Sequence, residues 1–143
     1  MFWITTSASF LIGIPPFFRR LTTSSTAFLA CSSDFDPVQT IFPELKIIVR
    51  HGAEPWTPLM VKLLLKWPNL YYSTSAFAPK HYPPDIINYA NTRGADKVMY
   101  AGYYAAGLTL DRIFSELPSV PFRDEVWPKF LRENAQRVFG LPS

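Results

Sequence analysis

The sequence has few of the residues that build disulfide frameworks and metal clusters. Its 143 residues include one cysteine and two histidines, which excludes internal disulfides and a cysteine-based metal cluster. The six glycines are dispersed and form no GxGxxG, so the corresponding phosphate-binding loop is also absent. No apolar run approaches the ~20 residues that a membrane-spanning helix needs. A single cysteine fits a reducing compartment, and we predict a cytoplasmic location without membrane association.

Basic residues are numerous but scattered. The net charge is +3 and the pI is about 9.1, yet Arg19 and Arg20 form the only adjacent basic pair. Nucleic-acid binding requires a concentrated basic face that meets the phosphates. We therefore predict no nucleic-acid partner.

Residues 1–33 differ in composition from the rest of the chain. They hold eleven Ser or Thr residues and no acidic residue before Asp34. An organelle transit peptide fits this composition, although Pro15-Pro16 would break a long amphipathic helix. A non-native start ahead of a truncated domain also fits and is the interpretation that we favour, although both interpretations stay open. We predict a poorly ordered leader over 1–33 and one domain over 34–143.

From residue 42 onward, hydrophobic periodicity predicts strands that alternate with helices. The predicted strands are 45–50, 69–74 and 97–101, and the predicted helices are 57–67, 85–91, 110–117 and 123–139. Such alternation implies right-handed crossovers and a parallel sheet, so the fold class is α/β with about three β/α units. A three-stranded sheet has two open edges, which predicts self-association.

His51 follows the first predicted strand directly and precedes Gly52. Parallel α/β folds carry their chemistry at the carboxyl ends of their strands. His51 is therefore the leading candidate for a catalytic acid or base. A histidine that is only hydrogen-bonded beneath the rim is the alternative.

Four segments resemble one known family. Residues 42–48 (FPELKII), followed by His51-Gly52, resemble the sixth strand of that family, and residues 67–71 (WPNLY) resemble its next strand. Residues 97–100 (KVMY) resemble its eighth strand, and residues 134–141 (NAQRVFGL) resemble its closing helix. The family is the amidohydrolase-related metal-dependent hydrolases, in the branch of aminocarboxymuconate-semialdehyde decarboxylase. The resemblance implies the C-terminal part of a (β/α)8 TIM barrel, about three β/α units long.

The resemblance also implies a cofactor and a role for His51. In the family a divalent metal, usually zinc, is held by a His-x-His pair on strand one, a histidine on strand five and an aspartate on strand eight. A strand-six histidine, here His51, acts as acid or base. This chain has no His-x-His pair, and Tyr103 stands where the family has its aspartate. We therefore expect no metal ligands, and no bound metal, in this chain alone.

Four further residues are candidates for the substrate pocket. Glu54 and Trp56 follow His51 in the same loop, His81 lies in the loop after the second strand, and Tyr103 follows the third. Tyr103 would donate a hydrogen bond to a substrate oxyanion. As alternatives, Trp56 is a hydrophobic plug over the next helix and Tyr103 is a packed aromatic residue. His81 could also share a metal ion with His51, which leaves the ion short of protein ligands.

Two functions compete. The first is a fragment of a hydrolase or decarboxylase for a small carboxylated or cyclic substrate, inactive by itself, with His51 moving the proton. The second is a non-catalytic α/β fragment or interaction protein in which His51 is a relic. Asn134 and Arg137 are predicted to tie the last helix to the sheet under either hypothesis.

Overall fold

The computed structural model describes residues 2–4 (backbone only), 38–50, 53, 56–102, 104 and 107–142. Four strands form one sheet in the order β1-β2-β3-β4, and they are β1 (Phe2–Ile4), β2 (Ile47–Val49), β3 (Leu70–Ser73) and β4 (Val98–Met99). Strands β2, β3 and β4 are parallel, with Val49 opposite Tyr72 and Ser73 opposite Met99. Strand β1 runs antiparallel to β2. The three predicted strands are therefore present, each shorter than predicted.

Helices lie between the parallel strands and after the last of them. They are α1 (Thr57–Lys66), α2 (Pro84–Thr92), α3 (Leu110–Glu116) and α4, which covers residues 126–139 as Val126–Pro128, a π-helical segment Lys129–Glu133, and Asn134–Phe139. Two 3-10 turns, Pro79–His81 and Leu117–Ser119, lie in the connections. None of the helices in these described ranges combines the length and the hydropathy that crossing a bilayer requires.

The start of α1 differs from the sequence pattern by one residue. Threonine is a common N-cap residue, and the sequence predicts Thr57 at that position. In the structure Trp56 is the N-cap residue, and Thr57 is already helical and buried. The Trp56 amide donates to the Ala53 carbonyl (2.8 Å), and its carbonyl accepts from the Met60 amide (2.9 Å). The preceding turn, rather than a capping side chain, therefore sets where the helix begins.

Alternate residues of the parallel strands face opposite sides of the sheet. The outer face, which α1 and α2 cover, carries Ile47, Val49, Leu70, Tyr72 and Val98. The inner face carries Ile48, Tyr71 and Met99, which pack with Val138 and Ala135 of α4. Because both faces are apolar and buried, the strands read as nearly continuous hydrophobic runs.

Helix α4 closes the edge of β4. The Tyr100 amide donates to the carbonyl of Phe130 (2.8 Å), which belongs to the π-helical segment. The Asn134 amide nitrogen donates to the carbonyls of Ala95 (2.7 Å) and Val98 (2.9 Å). Arg137 adds a hydrogen bond to the Asp96 carbonyl. These contacts confirm that Asn134 and Arg137 tie the last helix to the sheet.

The sheet edges differ from the sequence-based expectation of two open edges. Strand β1 pairs with β2 on one side, and α4 satisfies backbone groups beside β4 on the other. A three-residue strand was missed because the short run 2–4 lies in a segment without periodicity. Self-association of the chain stays a prediction.

Candidate functional site

The carboxyl ends of β2, β3 and β4 meet at one edge of the sheet because the strands are parallel. We call this region the mouth, and define its described part as residues 50, 53, 56, 73–82 and 100–102. Two non-glycine residues in it have left-handed backbones, Ala53 (φ 56°) after β2 and Ala76 (φ 76°) after β3. Such conformations are uncommon for residues with a side chain and concentrate at functional sites.

Thr74 joins the loops that follow β3 and β4. It is 1% exposed, its amide donates to the Met99 carbonyl (3.1 Å), and its hydroxyl accepts from the Ala101 amide (3.3 Å). The side chain thus continues the hydrogen-bond ladder one step past the end of β4. As a result, the backbone that leads to position 103 is held against β3.

Two tyrosines surround Thr74. Burial raises the pKa of Tyr82 to about 12; the hydrogen bond with Thr74 opposes this shift, and Tyr100 adds to it. Burial also raises the pKa of Tyr100. Both phenols are therefore neutral hydrogen-bonding groups at physiological pH. Their rings pack edge-on against Phe130, so they support the mouth from the outer face of the sheet.

Gly102 is fixed by its contact with Tyr100. A Cβ atom at position 102 would lie 2.7 Å from the Tyr100 hydroxyl oxygen, closer than side-chain atoms pack. A larger residue at this position would displace the end of the Tyr100 side chain. Sequence reasoning missed the three hydroxyl residues Thr74, Tyr82 and Tyr100; a threonine placed directly after a buried strand was the available signal.

Three of the five predicted site residues lie outside the described residues: His51, Glu54 and Tyr103. Their described chain neighbours, Ala53 and Gly102 among them, belong to the mouth. The roles assigned to His51, Glu54 and Tyr103 stay predictions.

The other two predicted site residues lie on the loops after β2 and β3. Trp56 stands at the N-terminus of α1 and is 45% exposed, so much of its ring faces solvent. His81 is exposed and ends the turn Pro79–His81. That turn contacts α3 and the turn Leu117–Ser119, which places His81 on the outer flank of the mouth.

The donors in the described part of the chain do not fit a catalytic metal. No three His, Cys, Asp or Glu side chains converge there, whereas a catalytic zinc normally takes three protein ligands. His81 is exposed, and the described residues 73–82 and 100–102 include no Asp or Glu. The described residues therefore lack a ligand set for a catalytic zinc ion.

The comparisons with known proteins agree with the geometry. A family model described as amidohydrolase matches residues 20–141. An uncharacterized TIM-barrel protein from Bordetella bronchiseptica has a similar structure, with a TM-score of 0.66 and 26% identity over 76% of this chain and 39% of that chain. The chain thus spans about two fifths of the length of that protein, and the prediction of a partial TIM barrel is confirmed. No curated protein matches the chain significantly.

Proposed function

The chain belongs to the amidohydrolase family, and from this premise we propose that it supplies part of the active-site mouth of a hydrolase or decarboxylase. The substrate is small and either carboxylated or cyclic, as in the branch of aminocarboxymuconate-semialdehyde decarboxylase. The observation that carries the proposal is the arrangement at the mouth: two strained alanines and a buried Thr74 hydroxyl at the carboxyl ends of adjacent parallel strands. TIM-barrel enzymes place their catalytic groups at this edge.

In this proposal His51 moves a proton to or from the reacting group. Arg50 separates His51 from the end of β2. Ala53, two residues further on, has a left-handed backbone, and its amide donates to the Arg50 carbonyl (3.4 Å). Glu54, Trp56, His81 and Tyr103 would line the pocket. The divalent metal of the family, zinc in most members, would need ligands other than those in the described residues, so the active enzyme would require further protein groups.

The non-catalytic alternative keeps one observation in its favour, the absence of a converging ligand set in the described ranges. Under it the chain would be an α/β interaction module with His51 as a relic, and self-association would occur without turnover. For both alternatives we propose the cytoplasm as the location, with organelle targeting by residues 1–33 left open.

The test is an activity comparison on the native full-length protein with zinc added. Hydrolysis and decarboxylation of a panel of small cyclic amides, lactones and aromatic carboxylates would be followed by absorbance. We expect His51→Asn to lower turnover roughly 10²–10⁴-fold, as for a general acid or base. Lys62→Asn, an exposed change on α1, serves as the control. Equal rates for wild type and His51→Asn would remove His51 from the mechanism, and no turnover of any substrate would favour the alternative.

A further inference from the structure

Thr74 holds the backbone after β4 with its side chain, at a point where a continuing strand would use its main chain. The Tyr72 amide donates to the Lys97 carbonyl (2.8 Å), and the Thr74 amide donates to the Met99 carbonyl (3.1 Å), so the parallel ladder repeats every two residues. The next bond of that ladder would run from the Ala101 amide to the Thr74 carbonyl. Here the Ala101 amide donates to the Thr74 hydroxyl oxygen instead (3.3 Å).

Threonine suits this position because the chain after β3 changes direction. Strand β3 ends at Ser73, and the backbone of Ala76 is already left-handed (φ 76°), which is incompatible with extended pairing. A β-branched side chain is stiff about its first torsion, so the hydroxyl of Thr74 keeps its place while the main chain turns. The side chain therefore extends the ladder of β4 by one step beyond the end of β3.

Two aromatic residues enclose this contact. The side chains of Thr74 and Tyr82 share a hydrogen bond, and the Tyr82 ring packs edge-on against Phe130 with 6.2 Å between the ring centroids. Phe130 is fully buried, and its carbonyl accepts from the Tyr100 amide (2.8 Å). Two consecutive amides are thus held from opposite sides, that of Tyr100 by the backbone of α4 and that of Ala101 by the Thr74 side chain.

The chain reaches the open part of the mouth directly after these two amides. Ala101 is half-buried and Gly102 is exposed. Tyr103, one of the proposed pocket residues, comes two positions after Ala101 in the sequence. A displacement of about 1 Å that originates away from the reacting groups can lower a rate by about 10²-fold. The Thr74 contact therefore lies where a small backbone shift would matter most for catalysis.

We propose that Thr74 is a positioning residue, whose hydroxyl, held by Tyr82, fixes the backbone that enters the mouth after β4. The inference rests on the proposed function, because it concerns the geometry of the same mouth. Thr74 is 1% exposed and acts through the Ala101 amide rather than on the substrate. Its loss should therefore lower kcat and leave KM nearly unchanged.

Amide hydrogen exchange of the full chain, followed by NMR, tests the contact without requiring turnover. Thr74→Val removes the hydroxyl and keeps the branched shape of the side chain. We expect the Ala101 amide to exchange about 10-fold faster or more, since it loses its hydrogen bond. The Tyr100 amide keeps its Phe130 partner and should exchange as in the wild type. Thr74→Ser keeps the hydroxyl and should restore most of the protection of Ala101.

Thr92→Val is the matched control, because it makes the same change at an exposed threonine of α2. Both amides should exchange in this variant as in the wild type. In the activity assay of the proposed function, Thr74→Val should lower kcat about 10- to 100-fold and change KM by less than about 2-fold. Thr74→Ser should recover most of the lost kcat, and Thr92→Val should match the wild type.

Four outcomes would overturn the proposal: unchanged Ala101 exchange in Thr74→Val, equal acceleration at Tyr100, the same acceleration in Thr92→Val, or a raised KM with unchanged kcat. Should Thr74→Val fail to fold, Tyr82→Phe gives the same comparison, since it removes only the hydroxyl that holds Thr74. Faster Ala101 exchange in Thr74→Val without any turnover in the wild type would reject the proposed function alone. His51-dependent turnover with unchanged Ala101 exchange would reject this inference alone.

Discussion

Asn134→Ala should destabilise the protein more than any exposed substitution on its helices. The Asn134 side chain is 1% exposed, and its amide donates to the Val98 carbonyl (2.9 Å) inside the core and to the Ala95 carbonyl (2.7 Å) at its edge. Alanine removes both donors and leaves the carbonyl of Val98, in the edge strand β4, without this partner. The edge of β4 would then lose one of its main links to α4.

The magnitude follows from those two contacts. A buried carbonyl left unsatisfied costs about 1–3 kcal/mol, and a partly exposed hydrogen bond contributes about 1 kcal/mol. The higher helix propensity of alanine returns about 0.5 kcal/mol. The free energy of unfolding should therefore fall by about 1.5–3.5 kcal/mol, which corresponds to a decrease in Tm of about 5–15 °C for a domain of this size.

Urea unfolding followed by far-ultraviolet circular dichroism measures this change. Asn88→Ala is the matched control, because Asn88 is an exposed asparagine within α2 and should change stability by no more than about 0.5 kcal/mol. Asn134→Asp should be at least as destabilising as Asn134→Ala, since a carboxylate would face two carbonyl oxygens. If Asn134→Ala and Asn88→Ala unfold at the same urea concentration, the proposed link between α4 and β4 is refuted.

Two further predictions concern buried tyrosines. Burial raises the pKa of both Tyr82 and Tyr89 from 10.0 to about 12. Because the folded state favours the neutral phenols, their contribution to the free energy of unfolding is complete below pH 10 and is lost as the pH rises toward 12. Absorbance titration at 295 nm should show phenols that ionise above pH 10 in the native protein and none in urea. Tyr82→Phe should remove part of this late phase. Ionisation of every tyrosine near pH 10 would contradict the burial argument. Gly94→Ala places a Cβ 2.1 Å from the ring of Tyr89, so it should cost about 1–3 kcal/mol of stability in thermal unfolding. The cost should shrink in a Tyr89→Leu background, and an unchanged cost there would show that the ring is not the cause.

Some features of the fold were predictable from local patterns. Buried β-branched and aromatic runs marked β2 and β3, Pro58 at the first turn marked α1, and the apolar spacing marked α4. Strands alternating with helices imply parallel pairing by a general rule of chain handedness, so the partial barrel followed from the order of elements. The family resemblance rested on the same segments, and the family model matches them.

Long-range contacts decided the features that the sequence pattern missed. Strand β1 exists through pairing with β2, more than forty residues away in the sequence. A strand of three residues is too short to show a hydrophobic periodicity of its own. The π-helical segment of α4 accompanies the bond from the Tyr100 amide to the Phe130 carbonyl, a contact between elements thirty residues apart.

The candidate site divides in the same way. The sequence alone determined that His51 follows a buried strand and that the chain has no His-x-His pair, because these are facts of residue identity and order. The tertiary structure decided that Thr74 reaches the Ala101 amide and that His81 lies on the outer flank of the mouth. Register and burial set these neighbours, and both come from packing between strands and helices that are distant in the chain.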